Sequence, residues 1–181
     1  NMLIDGLCTM YYNVEMDRGG RIAASGKINQ QLLESLLNEP YYKKAPPKTT
    51  GRELFGKEYC LWINELAKGI AKEDIIATVT MLTAKAISNS YRDFMQPKCK
   101  VSELIVAGGG SYNPTLMSNL KAEMAKYAVN VCTQEDKGEN SDAKEAVAFA
   151  LLAYYTMAGL PNNLPAATGA KFPAVLGKIS F

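Results

Sequence analysis

The sequence has no histidine among its 181 residues. The side chain that most readily gains and loses a proton near neutral pH is therefore missing. Proton transfer falls to Asp or Glu, with Lys, Tyr and Cys as poorer candidates at that pH. An excess of either charge is also lacking: 20 Lys and Arg stand against 18 Asp and Glu, for a net charge of +2. That balance offers no electrostatic case for a nucleic-acid partner. No apolar run is long enough to cross a bilayer and no signal peptide is visible, so no membrane partner is expected and a cytoplasmic location is the default. The four cysteines, Cys8, Cys60, Cys99 and Cys132, lie far apart. None pairs at metal-ligand spacing, so zinc is not expected and no metal ligand is assigned. Scattered thiols suit buried structural cysteines in a reducing compartment.

What is present is ordinary for a globular protein: 48% apolar and 21% charged residues, with length for one domain or two small ones. Leu32, Leu33, Leu36 and Leu37 predict a helix over 27–38 that Pro40 stops. Pro46 and Pro47 make "KKAPPKTTGRELFG" (43–56) a loop. A helix is predicted over 58–67. A longer amphipathic one runs over 72–95, with Ile75, Val79, Leu82 and Ala86 on one face. "VSELIVAGGG" (101–110) changes period and reads as a buried parallel strand closing on glycines. Asn113 is a strong N-cap and Pro114 fits a first helical turn; Leu116, Leu120 and Met124 carry that helix to about Tyr127. "AVNVCT" (128–133) is a second strand. A helix within 139–160 places Val147, Leu151, Tyr154 and Ala158 on one side, with Gly159 as its C-cap and Pro161 beyond it. Residues 161–181 read as irregular chain that wraps back. One further strand is predicted around Met2–Leu7. The order strand, glycines, helix, strand, helix is an α/β unit.

Two places carry chemistry on the residues alone. Gly108, Gly109 and Gly110 sit where a strand ends and a helix begins. A bare backbone there admits a ligand closely, and the helix N-terminus offers free N–H groups, so a nucleotide fits; a tight turn without a ligand fits as well. The stretch is neither a Walker A loop nor a full dinucleotide fingerprint. Asp5, followed by Gly6, is either a strand-end turn residue or a catalytic carboxylate.

The stretches "NMLID", "AASGKIN", "PPKTTGRELFG", "AGGGSYNPTLM", "DAKEAVAFALLAY" and "GLPNNLPAATGA" occur in this order. Together, and over nearly the whole chain, they resemble the C-terminal half of the anhydro-N-acetylmuramic acid kinase family. The resemblance implies an α/β fold: the ribonuclease-H-like second lobe of an actin-like ATPase, with a mixed sheet flanked by helices. The family's N-terminal lobe, with its glycine-rich phosphate loop, is absent here. The family pattern before "NM" is a Gly-Pro-Gly-Asn turn and this chain opens at its Asn, so residues 1–181 are expected to be a C-terminal lobe, a fragment with little or no activity alone.

The resemblance further implies an ATP-dependent sugar kinase of peptidoglycan recycling. It opens 1,6-anhydro-N-acetylmuramic acid with water and phosphorylates it, with ATP and Mg²⁺, to N-acetylmuramic acid 6-phosphate. The partners implied are the anhydro sugar and the missing lobe, and a homodimer is compatible. The family's catalytic aspartate falls on Asp5 as the base for water. Gly108, Gly109, Gly110 and Asn113 are implied to line the adenosine pocket. Glu145 is a candidate sugar ligand, although Asp142 and Glu145 also suit a capping arrangement at a helix start. Arg52 could hold the lactyl carboxylate or a phosphate, or simply pair with Glu53. The tyrosines are read as core or rim packing. The alternatives are a lobe of another kinase or ATPase of that superfamily, or a binding module without turnover.

Overall fold

Leu3, Ile4, Leu7 and Cys8 are all buried, and they recur at positions i, i+1, i+4 and i+5. That spacing is one helix face, and in the computed structural model, which describes residues 1–180, these residues lie on α1 (Met2–Tyr12). The strand expected around Met2–Leu7 is therefore a helix. A strand would bury alternate residues, whereas here neighbours are buried together and Asp5 and Gly6 fall on the half-buried side.

The chain divides into two compact units, one formed by Asn1–Lys44 with Thr49–Thr133 and the other by Ala45–Lys48 with the chain from Gln134 onward. In the first unit α1 is followed by a 3₁₀ turn (Arg18–Gly20) and the helices α2 (Arg21–Ser25), α3 (Gln30–Leu37), α4 (Pro40–Lys43), α5 (Lys57–Leu66) and α6 (Lys72–Ser90). A π-helical turn (Tyr91–Met95) extends α6, and then come β1 (Glu103–Val106), a 3₁₀ turn (Gly109–Tyr112), α7 (Pro114–Ala125) and β2 (Asn130–Thr133).

Helix α6 is the axis of this unit and packs against α1, α2, α3 and α7. It buries Ile75, Ile76, Val79 and Leu82, but also Thr78 and Thr80. Those hydroxyls stay satisfied within the helix, donating to Asp74 O at 2.6 Å and Ile76 O at 2.8 Å. One core joins α1, α2, α3, α5 and the first half of α6. A second gathers Ala84, Leu116, Leu120, Met124 and Val131, and Met81 packs against both. "AASGKIN" forms the joint onto the start of α6. Gly26 touches the Glu73 backbone, Lys27 N donates to Asp74 Oδ1 at 2.6 Å, and Asn29 N donates to Thr78 Oγ1 at 2.9 Å.

The sheet among the described residues is two-stranded and parallel rather than mixed, β1 with β2, in register from Glu103↔Asn130 to Val106↔Thr133. Helix α7 makes the crossover. Leu104, Val106 and Val131 turn toward the second core, whereas Ile105 points the opposite way and is 52% exposed. The expectation of a strand buried on both faces thus holds for one face only.

In the second unit a 3₁₀ turn (Ser141–Ala143) leads into α8 (Lys144–Met157), and the short α9 (Pro165–Thr168) follows. The cap is not Asp142 with Glu145. Asn140 Oδ1 accepts from Asp142 N at 2.8 Å, and Glu135 Oε1 accepts from Ser141 N at 3.0 Å, which leaves Asp142 and Glu145 exposed. Asn is a better cap than an acid two positions inside the turn, because its oxygen reaches the free N–H directly. Gly159 (φ 67°) closes α8: Leu160 N donates to Tyr155 O at 2.9 Å and Gly159 N to Thr156 O at 3.1 Å. The tail wraps back through "PNN". Asn162 Nδ2 donates to Thr156 Oγ1 at 2.9 Å, Leu176 N donates to Asn162 Oδ1 at 2.6 Å, and Ala174 N donates to Asn163 Oδ1 at 2.7 Å. Val147, Phe149, Leu151 and Tyr154 of α8 are exposed.

One backbone contact couples two distant segments of the first unit. A Cβ on Gly20 (φ 65°) would collide with Asn113 Oδ1 and lie 2.8 Å from Thr115 Oγ1, whose hydroxyl donates to Gly20 O at 2.8 Å. Gly69 has a similar backbone (φ 85°) with nothing near its absent Cβ. Gly69→Ala should cost only left-handed strain, about 1–2 kcal/mol. Gly20→Ala should cost that strain plus the collision, about 2–4 kcal/mol. Denaturant unfolding of the two variants compares them, and equal losses would show that the Gly20 contact is not tight.

Candidate functional site

Asp5 lies in the first turn of α1, its amide donating to Asn1 O at 3.1 Å. The turn is fixed because Leu3 and Ile4 before it and Leu7 and Cys8 after it are pulled into the core. That leaves the carboxyl half-buried at the surface of the helix. Among the described residues no donor reaches its oxygens, and only its backbone carbonyl is used, by Thr9 Oγ1 at 3.0 Å. Burial raises its pKa above the ordinary 3.8, and the positive amino group of Asn1 partly offsets this. One turn on, the Cys8 thiol is pushed up to about 12 by burial and by the charges of Asp17 and Asp5. It is therefore a neutral packing group and no competing nucleophile.

Two grooves meet at Asp5. The first, of about 570 Å³, is also lined by Met2, Thr9, Arg52, Lys57 and Cys60. The second, of about 500 Å³, is also lined by Asp17, Arg18, Gly109, Gly110 and Asn113. Arg52 comes from the turn before α5, where Phe55 N donates to Gly51 O at 3.0 Å. Its side chain is exposed and forms no ion pair among the described residues, so the pairing with Glu53 is not made.

The glycine turn reaches the other groove through Gly109 and Gly110. A side chain on Gly110 would run into Asn1 Nδ2 at 2.5 Å, so this turn packs directly on the start of α1. Gly108 is not among the residues lining either groove; its carbonyl accepts from the amide and hydroxyl of Ser111 at 2.9 and 2.8 Å. Asn113 lines the groove, but its side chain is 8% exposed and caps α7 by accepting from Leu116 N at 3.0 Å. Glu145 belongs to the second unit, exposed on the first turn of α8.

Sequence reading missed Asp17, Arg18 and Lys57. Asp17 is buried, and its two oxygens accept from Ile22 N at 2.9 Å and Ala23 N at 3.0 Å, so it caps α2 from well upstream. The signal was an acid ahead of two glycines and a helix, "DRGGRIAAS", an N-cap displaced by a turn. Arg18 and Lys57 had none, since exposed cations are common on any surface. Among the described residues no three Cys, Asp or Glu side chains gather to hold a metal ion. Nor is any described helix long and apolar enough to cross a membrane.

A family model for anhydro-N-acetylmuramic acid kinase matches residues 1–181. The chain is similar to the anhydro-N-acetylmuramic acid kinase of Caldanaerobacter subterraneus subsp. tengcongensis, at 48% identity over 99% of the chain and 46% of that protein. It is similar to the one of Clostridioides difficile at 44% identity, over 99% of the chain and 46% of the relative. For the one of Bacillus cereus strain B4264 the identity is 42%, over 100% of the chain and 46% of the relative. The chain thus spans about half the length of the relatives it matches. Over that span, by residues that run through both grooves and both units, it belongs to the anhydro-N-acetylmuramic acid kinase family.

Proposed function

We propose that residues 1–181 are the C-terminal half of a two-lobe kinase. Its reaction joins 1,6-anhydro-N-acetylmuramic acid, water and ATP into N-acetylmuramic acid 6-phosphate and ADP. Family membership supports the reaction class. The single observation that carries the residue assignment is Asp5: a half-buried carboxylate with no hydrogen-bond donor, at the junction of two grooves. The parallel β1–α7–β2 unit is what a ribonuclease-H-like second lobe would contribute.

The chemistry needs a base at that place. The anhydro bridge joins C1 to O6, so O6 has no proton to lose and cannot attack phosphorus as a hydroxyl. Water attacks C1 instead, the C1–O6 bond breaks, and its electron pair stays on O6. O6 bonds the γ-phosphorus as the bond to the ADP oxygen breaks. The water proton goes to Asp5, whose open oxygens can take it and whose raised pKa makes it a stronger base than an exposed aspartate. Removing the proton as the C1–oxygen bond forms keeps positive charge off the attacking oxygen.

The sugar occupies the groove shared with Arg52, whose planar guanidinium suits the lactyl carboxylate in a bidentate pair. The nucleoside lies along Gly109, whose absent side chain leaves open space, and beside Gly110, on which Asn1 packs. Asn113 acts on this site by fixing the start of α7 through its capping oxygen, rather than by offering that oxygen to the nucleoside. Mg²⁺ would neutralise phosphate charge, but the described residues form no cluster to hold it, so an ion arriving with ATP would be bound mainly by phosphates and water. The other lobe would supply the remaining phosphate contacts. A cytoplasmic enzyme of cell-wall recycling is consistent with this reading.

Two results test it. In the full-length enzyme Asp5→Asn should lower sugar phosphorylation by at least about 10²–10⁴-fold, with ATP affinity kept, measured by ADP release and calorimetry. Parallel loss of ATP binding, or turnover near the wild-type rate, overturns the base assignment. The same substitution should leave the protein more stable at neutral pH. The folded state holds the Asp5 proton more tightly than the unfolded chain, so this carboxyl lowers stability as pH rises through its folded pKa. The gap between Asp5→Asn and wild type in thermal unfolding should shrink as pH falls toward 3.8. A destabilised Asp5→Asn at neutral pH would mean that the carboxylate has a structural partner. Residues 1–181 alone should release no ADP with ATP and the anhydro sugar, and sustained turnover would refute the two-lobe reading.

A further inference from the structure

We propose that Arg18 is a polyphosphate-binding residue, which contacts the phosphate chain of the nucleotide in the groove formed with Gly109 and Gly110. This deepens the reading above and rests on that groove's accepting a nucleotide. Arg18 lines it together with Asp5, Asp17, Gly109, Gly110 and Asn113. Among the described residues, the charged side chains lining that groove are the acids Asp5 and Asp17 and the cation Arg18. The carboxylates of Asp5 and Asp17 carry the same sign as a polyphosphate and repel it at the close range of a partly desolvated surface, so a side-chain cation beside them favours its entry.

The Arg18 side chain is exposed and makes no ion pair or hydrogen bond among the described residues. Its backbone, in contrast, is held from both sides. Arg18 N donates to Met16 O at 3.1 Å and Gly20 N to Asp17 O at 3.1 Å. The Asp17 carboxylate accepts two amides of α2, and Thr115 Oγ1 reaches Gly20 O at 2.8 Å. A guanidinium with free donors on a pinned loop loses little backbone freedom when it binds, which favours a charged ligand. Two observations favour phosphate over the sugar carboxylate. Arg18 shares its groove with the glycine turn, and that turn leads into the N-terminus of the 12-residue α7, the end of a helix that favours anions. Arg52 already serves the other groove.

Calorimetry on the full polypeptide that carries residues 1–181, titrated with ATP, ADP and adenosine, tests this. Arg18→Gln should weaken ATP and ADP by about tenfold to a hundredfold, the loss expected for a charge-assisted hydrogen bond, and leave adenosine unchanged. Arg18→Lys should fall between, since it keeps the charge and loses the fork. Equal weakening of adenosine and ATP would assign Arg18 a structural role and overturn the proposal. Unchanged ATP binding would overturn it too, as would weakened binding of the anhydro sugar with ATP intact. Wild-type protein that binds none of the three would instead overturn the nucleotide reading of the groove, and this proposal with it. An unfolding midpoint for Arg18→Gln equal to wild type shows that the comparison is between folded proteins.

Discussion

Gly20 lies against Asn113 with no room for a single carbon between them, and the candidate site depends on that approach. Asn113 caps α7, and Thr115 two residues on hydrogen-bonds the Gly20 carbonyl. The loop that carries Asp17 and Arg18 is thereby fastened to the helix that follows the glycine turn. The turn in turn presses Gly110 against Asn1, at the start of the helix that carries Asp5. Three segments far apart in sequence are thus held together, each time by a side chain packed on a glycine backbone. Glycine is needed at these crossings because the chains touch, not because they flex.

The acids of the first unit divide by how their charge is met. Glu123 is buried, and burial alone would raise its pKa, yet hydrogen bonds from Lys126 at 2.7 Å and Lys85 at 3.0 Å more than offset this and hold it below the ordinary 4.5. Asp17 is buried with both oxygens on backbone amides. Each is a structural acid with its partners supplied. Asp5 is partly desolvated and its carboxylate receives no hydrogen bond among the described residues; the amino group of Asn1 offsets the burial only in part, which leaves its pKa raised. A carboxylate left without a hydrogen bond while its neighbours are satisfied has open oxygens, which is what the proposed role as a base requires. The same contrast separates the exposed, unpaired Arg52 and Arg18 from Arg92, which folds onto Asp93 at 2.6 Å.

Much of the frame was legible. The leucines of α3, the long α6, the Asn113-Pro114 start of α7 and the parallel pair around the glycines all declared themselves by period or by capping chemistry. Met2–Leu7 did not, because a short apolar run fits strand and helix alike until the burial of Leu7 and Cys8 extends the pattern. Asp142 lost the cap of the last unit to Asn140, a choice decided by which oxygen reaches a free amide and not by residue type. The grooves were less legible still. Arg18 and Lys57 are ordinary surface cations until the fold sets them beside Asp5.

Two of the stretches that carry the family resemblance are joints, whereas "TTGRELF" brings Arg52 to a groove. "AASGKIN" docks onto the first turn of α6, and Asn162 and Asn163 of "GLPNNLPAATGA" clamp the tail, the first of them to α8. Such joints demand particular residues, since a backbone amide or carbonyl at fixed distance accepts few side chains. A groove demands less of its local sequence: an open carboxylate, an unpaired guanidinium and a bare turn, each unremarkable alone. Their chemistry comes from being adjacent. In this chain those joints hold the geometry, and a candidate reacting group is found by asking which half-buried charge the geometry leaves without a hydrogen bond among the described residues. Here that question points to Asp5, the base proposed above.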